Sequence, residues 1–376
     1  MKSEKGKPIS ICFVSPKAYG LFEPTVKTNF GGAEVDMYML ATELAKDPAF
    51  AVSFLVADYG QPAEELRENV RLLKSLDWRQ NPLSGAAKIW KTLKRADAQF
   101  YLCKTASPGV PLVYAFCRLH RRRFLYRTAH RHECDGTYRA EHPIWGRLFY
   151  WALRGAARVF AQNEEDSRLL KETAHVEAEV IANGHRLRQC WTEPRKYILW
   201  VGRSAQFKHP ERFLELARRC VQEQFVMVCR PAAGDRNYEA LQKEAGTIGN
   251  LTFYSDVDFF ELDRFFAAAK VFVNTSDAEG FPNTFIQAAA AGTAILSWQV
   301  NPDGFLTRWQ CGLACGGTME RLTEGLRFLL EQDRYIEIGQ NGLRYVRQHH
   351  DISVLVERYK ESLRKCLKEP SVKKEA

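Results

Sequence analysis

Short apolar runs alternate along the chain with longer stretches whose apolar positions recur every three or four residues. In the first half the short runs are ISICFVS (9–15), AVSFLVA (51–57), AQFYLC (98–103), RFLYRTA (123–129) and ARVFAQ (157–162). In the second half they are YILWVG (197–202), FVMVC (225–229), LTFYS (251–255), VFVNT (271–275) and TAILSW (293–298). Runs of this length, rich in β-branched and aromatic residues, read as strands. Helical periods fit 210–222, 237–246, 259–269, 284–291 and 318–331, and similar stretches separate the strands of the first half. Strands alternating with helices predict parallel sheets with crossover helices, and the repeat predicts an α/β protein of two doubly wound domains. The polar stretch near 185–195 marks the break. The expected domains are therefore 1–188 and 189–350. A last helical run over 351–367 opens a C-terminal segment, 351–376, expected to pack back across the domains.

A length of 376 residues suits two domains. With 45% hydrophobic and 26% charged residues the chain is neither disordered nor fibrous. Charge adds something the pattern does not show. The formal net charge is +9, and it is unevenly spread: residues 1–190 hold 29 Lys+Arg against 21 Asp+Glu, and residues 191–376 hold 25 against 24. The surplus belongs to the first half and suggests an anionic partner there. The ten cysteines form no CxxC pair, which argues against zinc and for reduced, mostly buried thiols in a cytoplasmic protein. The polar start MKSEKGKPIS is no signal peptide, and no apolar run approaches 20 residues, so no helix is expected to span a bilayer.

In open parallel sheets ligands gather at the carboxyl ends of strands, so the turns that follow strands carry the chemistry. After the first strand, Gly31-Gly32-Ala33-Glu34 opens a helix running to about 46. Two glycines there let backbone N–H groups approach an anion, and an ordinary tight turn is the other reading. Neither GxGxxG nor GxxxxGK[ST] occurs, which removes the main support for a dinucleotide or P-loop site. The second half holds the strongest element, Asp277 to Ala288, after the run VFVNTS. Glu279 lies at a strand end, where a carboxylate meets ligand hydroxyls. Gly280 permits close approach, Asn283 and Thr284 open a helix, and Gln287 falls one turn beyond Asn283. A solvated Glu beside a helix cap is the plain alternative. Arg203 ends the run YILWVG, and Lys208 follows before Pro210; two cations at a strand end neutralise a diphosphate, although surface cations are common.

Together these pieces resemble a known family. GGAE at 31–34, IANG at 181–184, WVGR at 200–203 with Lys208, and EGFPNTFIQA at 279–288 are similar, in order and spacing, to the retaining nucleotide-sugar-dependent glycosyltransferases of family 4. The resemblance implies the GT-B fold of two facing Rossmann-like domains with parallel sheets and a C-terminal helix. It implies that Arg203 and Lys208 hold the donor diphosphate, and that Glu279 contacts the donor sugar. Backbone N–H groups around Phe281, Asn283 and Thr284 would hold sugar and phosphate oxygens, and Gly32 would approach the diphosphate from the N-terminal domain. Position 287 would bind the ribose hydroxyls. The family carries two glutamates separated by seven residues, and here the second is Gln287, so weaker nucleotide binding with retained activity is expected. The donor is a co-substrate, UDP- or GDP-linked, and neither a resident cofactor nor a metal is expected. Asp256-Val257-Asp258 has the spelling of a metal motif but reads as a helix start.

The resemblance also places a histidine in the N-terminal domain. His130 directly follows the strand run 123–129 and is the first choice over His132, with a surface or core histidine as the alternative for each. Residues 118–132 hold six Arg and three His without an acid and read as a solvated helix end. Over 84–98, Ala86, Ile89, Trp90, Leu93 and Asp97 share one face opposite Lys88, Lys91, Lys94 and Arg95. That helix either lies in a headgroup layer or packs one face on its own domain. The expected partners are a nucleotide-sugar donor, a glycan or lipid-linked acceptor and an anionic membrane surface, on the cytoplasmic side. Nucleic acid is not expected, since no aromatic-basic module appears. A non-catalytic nucleotide-sugar binder of the same fold is the competing reading, and a nucleotide-sugar epimerase a minor one.

Overall fold

A computed structural model describes residues 7–26, 28, 30–187, 194–232, 234–235, 237–255 and 257–369, with the backbone alone at Phe260. The chain forms two compact units. Residues Met1–Arg186 and Ile352–Ala376 make one, and Leu187–Asp351 the other.

The first unit holds a sheet of eight strands: β1 (Ile9–Val14), β2 (Phe50–Val56), β3 (Glu64–Arg67), β4 (Val70–Lys74), β5 (Phe100–Lys104), β6 (Arg123–Arg127), β7 (Arg158–Ala161) and β8 (Glu179–Val180). Their order is β3-β4-β2-β1-β5-β6-β7-β8, and every neighbouring pair is parallel except β3 with β4. The helices are α1 (Tyr19–Phe22), α2 (Gly32–Leu44), α3 (Pro82–Ala96), α4 (Gly109–Leu119), α5 (Thr137–Glu141), α6 (Pro143–Arg154) and α7 (Glu164–Ala174). Local chemistry sets their starts. Asn81 accepts from the Ser84 N–H ahead of Pro82 in α3, and Asn163 accepts from the Asp166 N–H at the head of α7, whose first turn is acidic. Side chains of alternate parity line the two sheet faces. Tyr101, Cys103, Phe124 and Tyr126 form one core with residues of α3, α4, α6 and α7.

The second unit is a six-stranded parallel sheet: β9 (Tyr197–Arg203), β10 (Phe225–Arg230), β11 (Leu251–Tyr254), β12 (Ala269–Asn274), β13 (Ala294–Ser297) and β14 (Gly312–Ala314), in the order β11-β10-β9-β12-β13-β14. Its helices are α8 (Pro210–Arg219), α9 (Tyr238–Ala245), α10 (Leu262–Ala267), α11 (Asn283–Ala290), α12 (Phe305–Arg308), α13 (Met319–Leu330) and α14 (Arg334–His349). One core joins strand residues to α8, α9 and α13, the other to α10, α11 and α14. The closing helix, α15 (Ile352–Lys368), returns to the first unit. It packs on α2, and its Tyr359 ring meets Phe160 of β7.

Several elements depart from the periodicity reading. β3 and β4 form a hairpin whose turn residues, Glu68 and Asn69, both have positive φ, the conformation a two-residue hairpin demands. β3 is a charged edge strand, EELR, and carries no apolar run to announce it. The stretch 118–132 is not one solvated helix end. It passes from the end of α4 through Arg121 at positive φ into β6, where Arg127 is fully buried. In α3, Ile89, Trp90 and Leu93 pack on the core of their own unit, with Trp90 edge-on to Phe116 at 5.2 Å, so packing accounts for that apolar face. Of the Asp256-Val257-Asp258 spelling, Asp256 lies outside the described residues. Asp258 precedes a 3-10 turn at Phe259–Glu261 that leads into α10. Cys190 and most of the proposed break, 188–193, also lie outside the described residues.

Candidate functional site

In the second unit the chain moves outward from β9 through β10 to β11, then returns to place β12 on the other side of β9. That reversal opens a crevice at the carboxyl ends of β9 and β12. Arg203 is the last residue of β9, in register with Arg230 of β10. A 3-10 turn, Gln206–Lys208, then presents Lys208, and His209 at φ 46° redirects the chain into α8. From the other strand, Asn274 ends β12 and the loop to α11 carries Glu279.

The two loops are joined by a carboxylate–ammonium pair. Lys208 Nζ lies 3.1 Å from Glu279 Oε1. The same oxygen accepts from Asn274 Nδ2 at 3.0 Å and from the Ser276 hydroxyl at 2.6 Å, so none of these three donors uses Oε2. Burial opposes the carboxylate charge, but the Lys208 ammonium and the hydrogen bonds from Ser276 and Asn274 outweigh it and hold Glu279 below the ordinary glutamate value. The backbone of Lys208 is fixed as well. Its carbonyl accepts from the Thr275 hydroxyl at 2.6 Å, and that hydroxyl accepts from the buried Trp200 indole at 2.9 Å. Arg212 reinforces the joint by donating to the Thr275 carbonyl and Asp277 while its guanidinium lies 4.2 Å from the Trp298 ring centroid. Geometry at this edge is therefore set by buried groups on both strands.

Helix α11 begins at the same edge. Pro282 precedes Asn283 and Thr284, both half-buried, in its first turn. Gly280 and Phe281 are buried, and the Phe281 ring packs against Phe305 and His350, which leaves its backbone rather than its side chain for a ligand. Gln287 is 7% exposed, and its Nε2 is buried without a hydrogen-bond partner among the described residues. A buried donor left unpaired is costly, and a water or a ligand oxygen can supply the acceptor that Gln287 lacks here.

The first unit has its own switch point, between β1 and β5. Gly32 is the first residue of α2, behind Gly31, whose N–H donates to Glu34 Oε2 at 2.7 Å. Below that helix start lies a buried charged network the periodicity did not single out. Asp36 of α2 takes Arg127 Nε at 2.5 Å and Lys104 Nζ at 2.6 Å. Arg127 also donates to the Ile181 and Ala182 carbonyls and to Asn183 Oδ1, within the IANG segment. Asn183 in turn donates to Gln162 at 2.7 Å. Burial works against the Asp36 charge, yet Arg127 and Lys104 hold its carboxyl at about 2; burial pushes Lys104 down to about 8 against the pull of Asp36. The signal available beforehand was a cation inside a predicted apolar run, Arg127 in RFLYRTA, because such a charge requires a partner when buried. β6 ends at Arg127, so His130 stands three residues beyond the strand rather than next to it. It caps a 3-10 turn by accepting from the His132 N–H at 3.2 Å, and the two rings lie 4.5 Å apart.

Comparison with known proteins completes the picture. The family described as Glycosyltransferase Family 4 matches residues 30–189, and that described as Glycosyl transferases group 1 matches residues 195–332. Among solved structures the chain is similar to sucrose-phosphate synthase from Thermosynechococcus elongatus, with 17% identity, a TM-score of 0.77, and coverage of 96% of this chain and 99% of that one. It is similar to Anabaena HepE, solved in complex with UDP-glucose, with 15% identity, a TM-score of 0.71 and coverage of 95% and 100%. It is also similar to WaaG, a glycosyltransferase involved in lipopolysaccharide biosynthesis, with 16% identity, a TM-score of 0.68 and coverage of 94% and 99%. No curated protein matched the chain. At these identities the structural likenesses establish the fold. Two parallel-sheet α/β units with these neighbours make the chain a protein of the GT-B fold. Both units thus match glycosyltransferase family models, the first that of family 4 and the second that of group 1, and the chain is a glycosyltransferase of GT-B type.

Proposed function

We propose that the protein is a retaining glycosyltransferase that moves a sugar, a hexose in our reading, from a nucleotide-diphosphate sugar to a glycan or lipid-linked acceptor. The observation that carries this reading is the Lys208–Glu279 pair at the switch point of the second unit, beside Arg203 and the start of α11. Lys208 and Arg203 neutralise the departing diphosphate, as preorganised cations do for charge that develops in a transition state. Glu279 accepts from hydroxyls of the donor sugar through Oε2, and its bonds to Lys208, Asn274 and Ser276 keep that oxygen oriented. Backbone N–H groups at Gly280, Phe281, Asn283 and Thr284 hold phosphate and sugar oxygens, and the Gln287 amide meets the ribose.

In the proposed step the acceptor hydroxyl oxygen bonds to the anomeric carbon on the face from which the diphosphate leaves. The carbon–oxygen bond to the diphosphate breaks with its electron pair, and the hydroxyl proton passes to the departing phosphate oxygen. No covalent enzyme intermediate is required. Cations and a helix N-terminus supply the electrostatic work, so the reading includes neither a divalent metal nor a resident cofactor. The first unit, which carries the positive surplus, takes the acceptor, with Gly32 approaching the diphosphate and His130 facing the sugar or acceptor.

The test is release of nucleoside diphosphate from a panel of UDP-, GDP- and ADP-sugars with glycan and lipid-linked acceptors, compared with Glu279→Ala and Lys208→Ala. Turnover lost in both variants supports the reading. Clear binding without turnover for any acceptor supports instead a nucleotide-sugar-binding protein, which Gln287 in place of a glutamate favours.

A further inference from the structure

Helix α6 carries apolar residues on two opposite sides. Phe149, Tyr150, Ala152 and Leu153 are buried against the core of the first unit. On the far side Ile144, Leu148 and Trp151 follow one another at helical spacing with Trp145 beside them, and these four are 72%, 38%, 38% and 46% exposed. A surface helix ordinarily gives that side to charged and polar residues. Four large apolar side chains adjoining on one exposed helix face mark an interaction surface.

Charge indicates what the surface meets. Over its 12 residues α6 has Arg147 and Arg154, both exposed, and no Asp or Glu; Arg154 also donates to the Ala174 carbonyl. The neighbouring α4 has Arg118 and no acid, and its end exposes Leu119 at 70%, followed by exposed Arg121. Both helices run back against parallel strands β5, β6 and β7, so their C-terminal ends lie at the same end of the sheet. Glu141, at the end of α5, precedes the patch in the chain, and Asp97 is paired with Arg122.

We propose that α6 is a membrane-contacting helix that lies in the headgroup layer of an anionic bilayer. Ile144 and Leu148 enter the acyl boundary, Trp145 and Trp151 sit at headgroup level, and Arg147 and Arg154 meet lipid phosphates. At 12 residues it is far too short to cross, and among the described residues no helix is long and apolar enough to do so. Two copies joined through this face would set arginines against arginines, whereas a fluid anionic surface accepts the apolar side chains and the cations together. The membrane surface is thereby placed on α6 rather than α3: Ile89, Trp90 and Leu93 of α3 pack on their own unit, whereas on α6 Trp151 meets Tyr114 edge-on and Ile144, Trp145 and Leu148 stay exposed. It goes beyond the catalytic reading and does not depend on glycosyl transfer.

The experiment is co-sedimentation of the full chain with vesicles of phosphatidylcholine alone and with added phosphatidylglycerol, with tryptophan emission recorded in parallel. Binding confined to the anionic vesicles, weakened by salt and accompanied by a blue shift, is expected. Arg147→Glu and the double variant Ile144→Ser, Leu148→Ser should each weaken it roughly tenfold, with the melting temperature and donor turnover kept. Ile144→Ser alone, at the most exposed position, guards against a folding defect in the double variant. Lys91→Glu on α3 should leave binding nearly unchanged. Absence of binding to anionic vesicles, or binding that the α6 variants do not reduce, overturns the proposal. So does a concentration-dependent dimer, or capture by an acidic protein, that the α6 variants abolish while vesicle binding is absent. Donor turnover, measured separately, reports on the catalytic reading.

Discussion

Lys208 Nζ and Glu279 Oε1 lie 3.1 Å apart, each delivered by a loop from a different one of the two strands that flank the switch point of the second unit. The pair does two things at once. It keeps the carboxylate charged in a partly buried place, and it holds an ammonium beside the start of α11. Replacing Lys208 by Met removes the cation that offsets burial, so the Glu279 carboxyl moves up. Turnover is expected to fall roughly 10²–10³-fold, the loss seen when one preorganised stabilising group is removed. Initial rates of nucleoside diphosphate release measure this, and a melting temperature kept near that of the parent separates it from unfolding.

The same pair has a pH signature. The folded carboxyl of Glu279 sits below its unfolded value, so its contribution is fully present above about pH 4.5 and is lost as pH falls through the lower folded value. Glu279→Gln should flatten the acid limb of a denaturation-midpoint profile below that pH and leave the neutral region unchanged in slope. An identical acid limb in the variant would contradict the ion-pair account.

Gln287 separates stability from binding. Its buried Nε2 lacks a partner among the described residues, so Gln287→Met, close in volume, removes an unpaired donor and should raise stability by about 1 kcal/mol. The same change should weaken nucleotide binding if position 287 meets the ribose. Gln287→Glu should act the other way on the ligand, tightening nucleoside diphosphate roughly tenfold through charge-assisted bonds to ribose hydroxyls. Thermal shifts with and without nucleoside diphosphate read both effects. A Met variant that melts earlier and binds equally well would defeat the argument.

Much of the fold was legible, and its limits have physical causes. All ten apolar runs became strands, because buried parallel strands are apolar throughout and stand out without alternation. β3 escaped because an exposed edge strand has no apolar face to show, and α14 escaped although its periodic residues lie in plain sight at 334–349. Lys208 and Glu279 were legible as residues that follow strands, but their meeting was not. It requires β9 and β12 to be neighbours, which topology decides and local pattern does not. The amphipathic reading of 84–98 was correct about the helix and left open whether its apolar side meets a headgroup layer or its own domain, which the packing of Trp90 on Phe116 decides. The exposed face of α6 was hidden for the opposite reason. A helix apolar on two opposite sides looks like core until burial distinguishes them.

The buried network of the first unit yields the last prediction. Arg127 and Lys104 share Asp36, but their roles differ. Arg127 ties Asp36 to the IANG segment through several donors, whereas Lys104 adds a second cation with a weaker hold on Asn183 at 3.4 Å. Arg127→Met strips Asp36 of its main partner and should cost about 3–5 kcal/mol, a range typical for breaking a buried pair. Lys104→Met leaves Asp36 with Arg127 and should cost less. It should also remove a distinct alkaline feature. Folded Lys104 titrates near pH 8 and unfolded lysine near 10.5, so between those values the unfolded chain binds more protons and stability rises with pH. Urea midpoints of the parent should therefore increase from pH 8 toward pH 10 relative to those of Lys104→Met. Parallel profiles for the two proteins would show that burial beside Arg127 does not lower the pH at which the Lys104 ammonium gives up its proton.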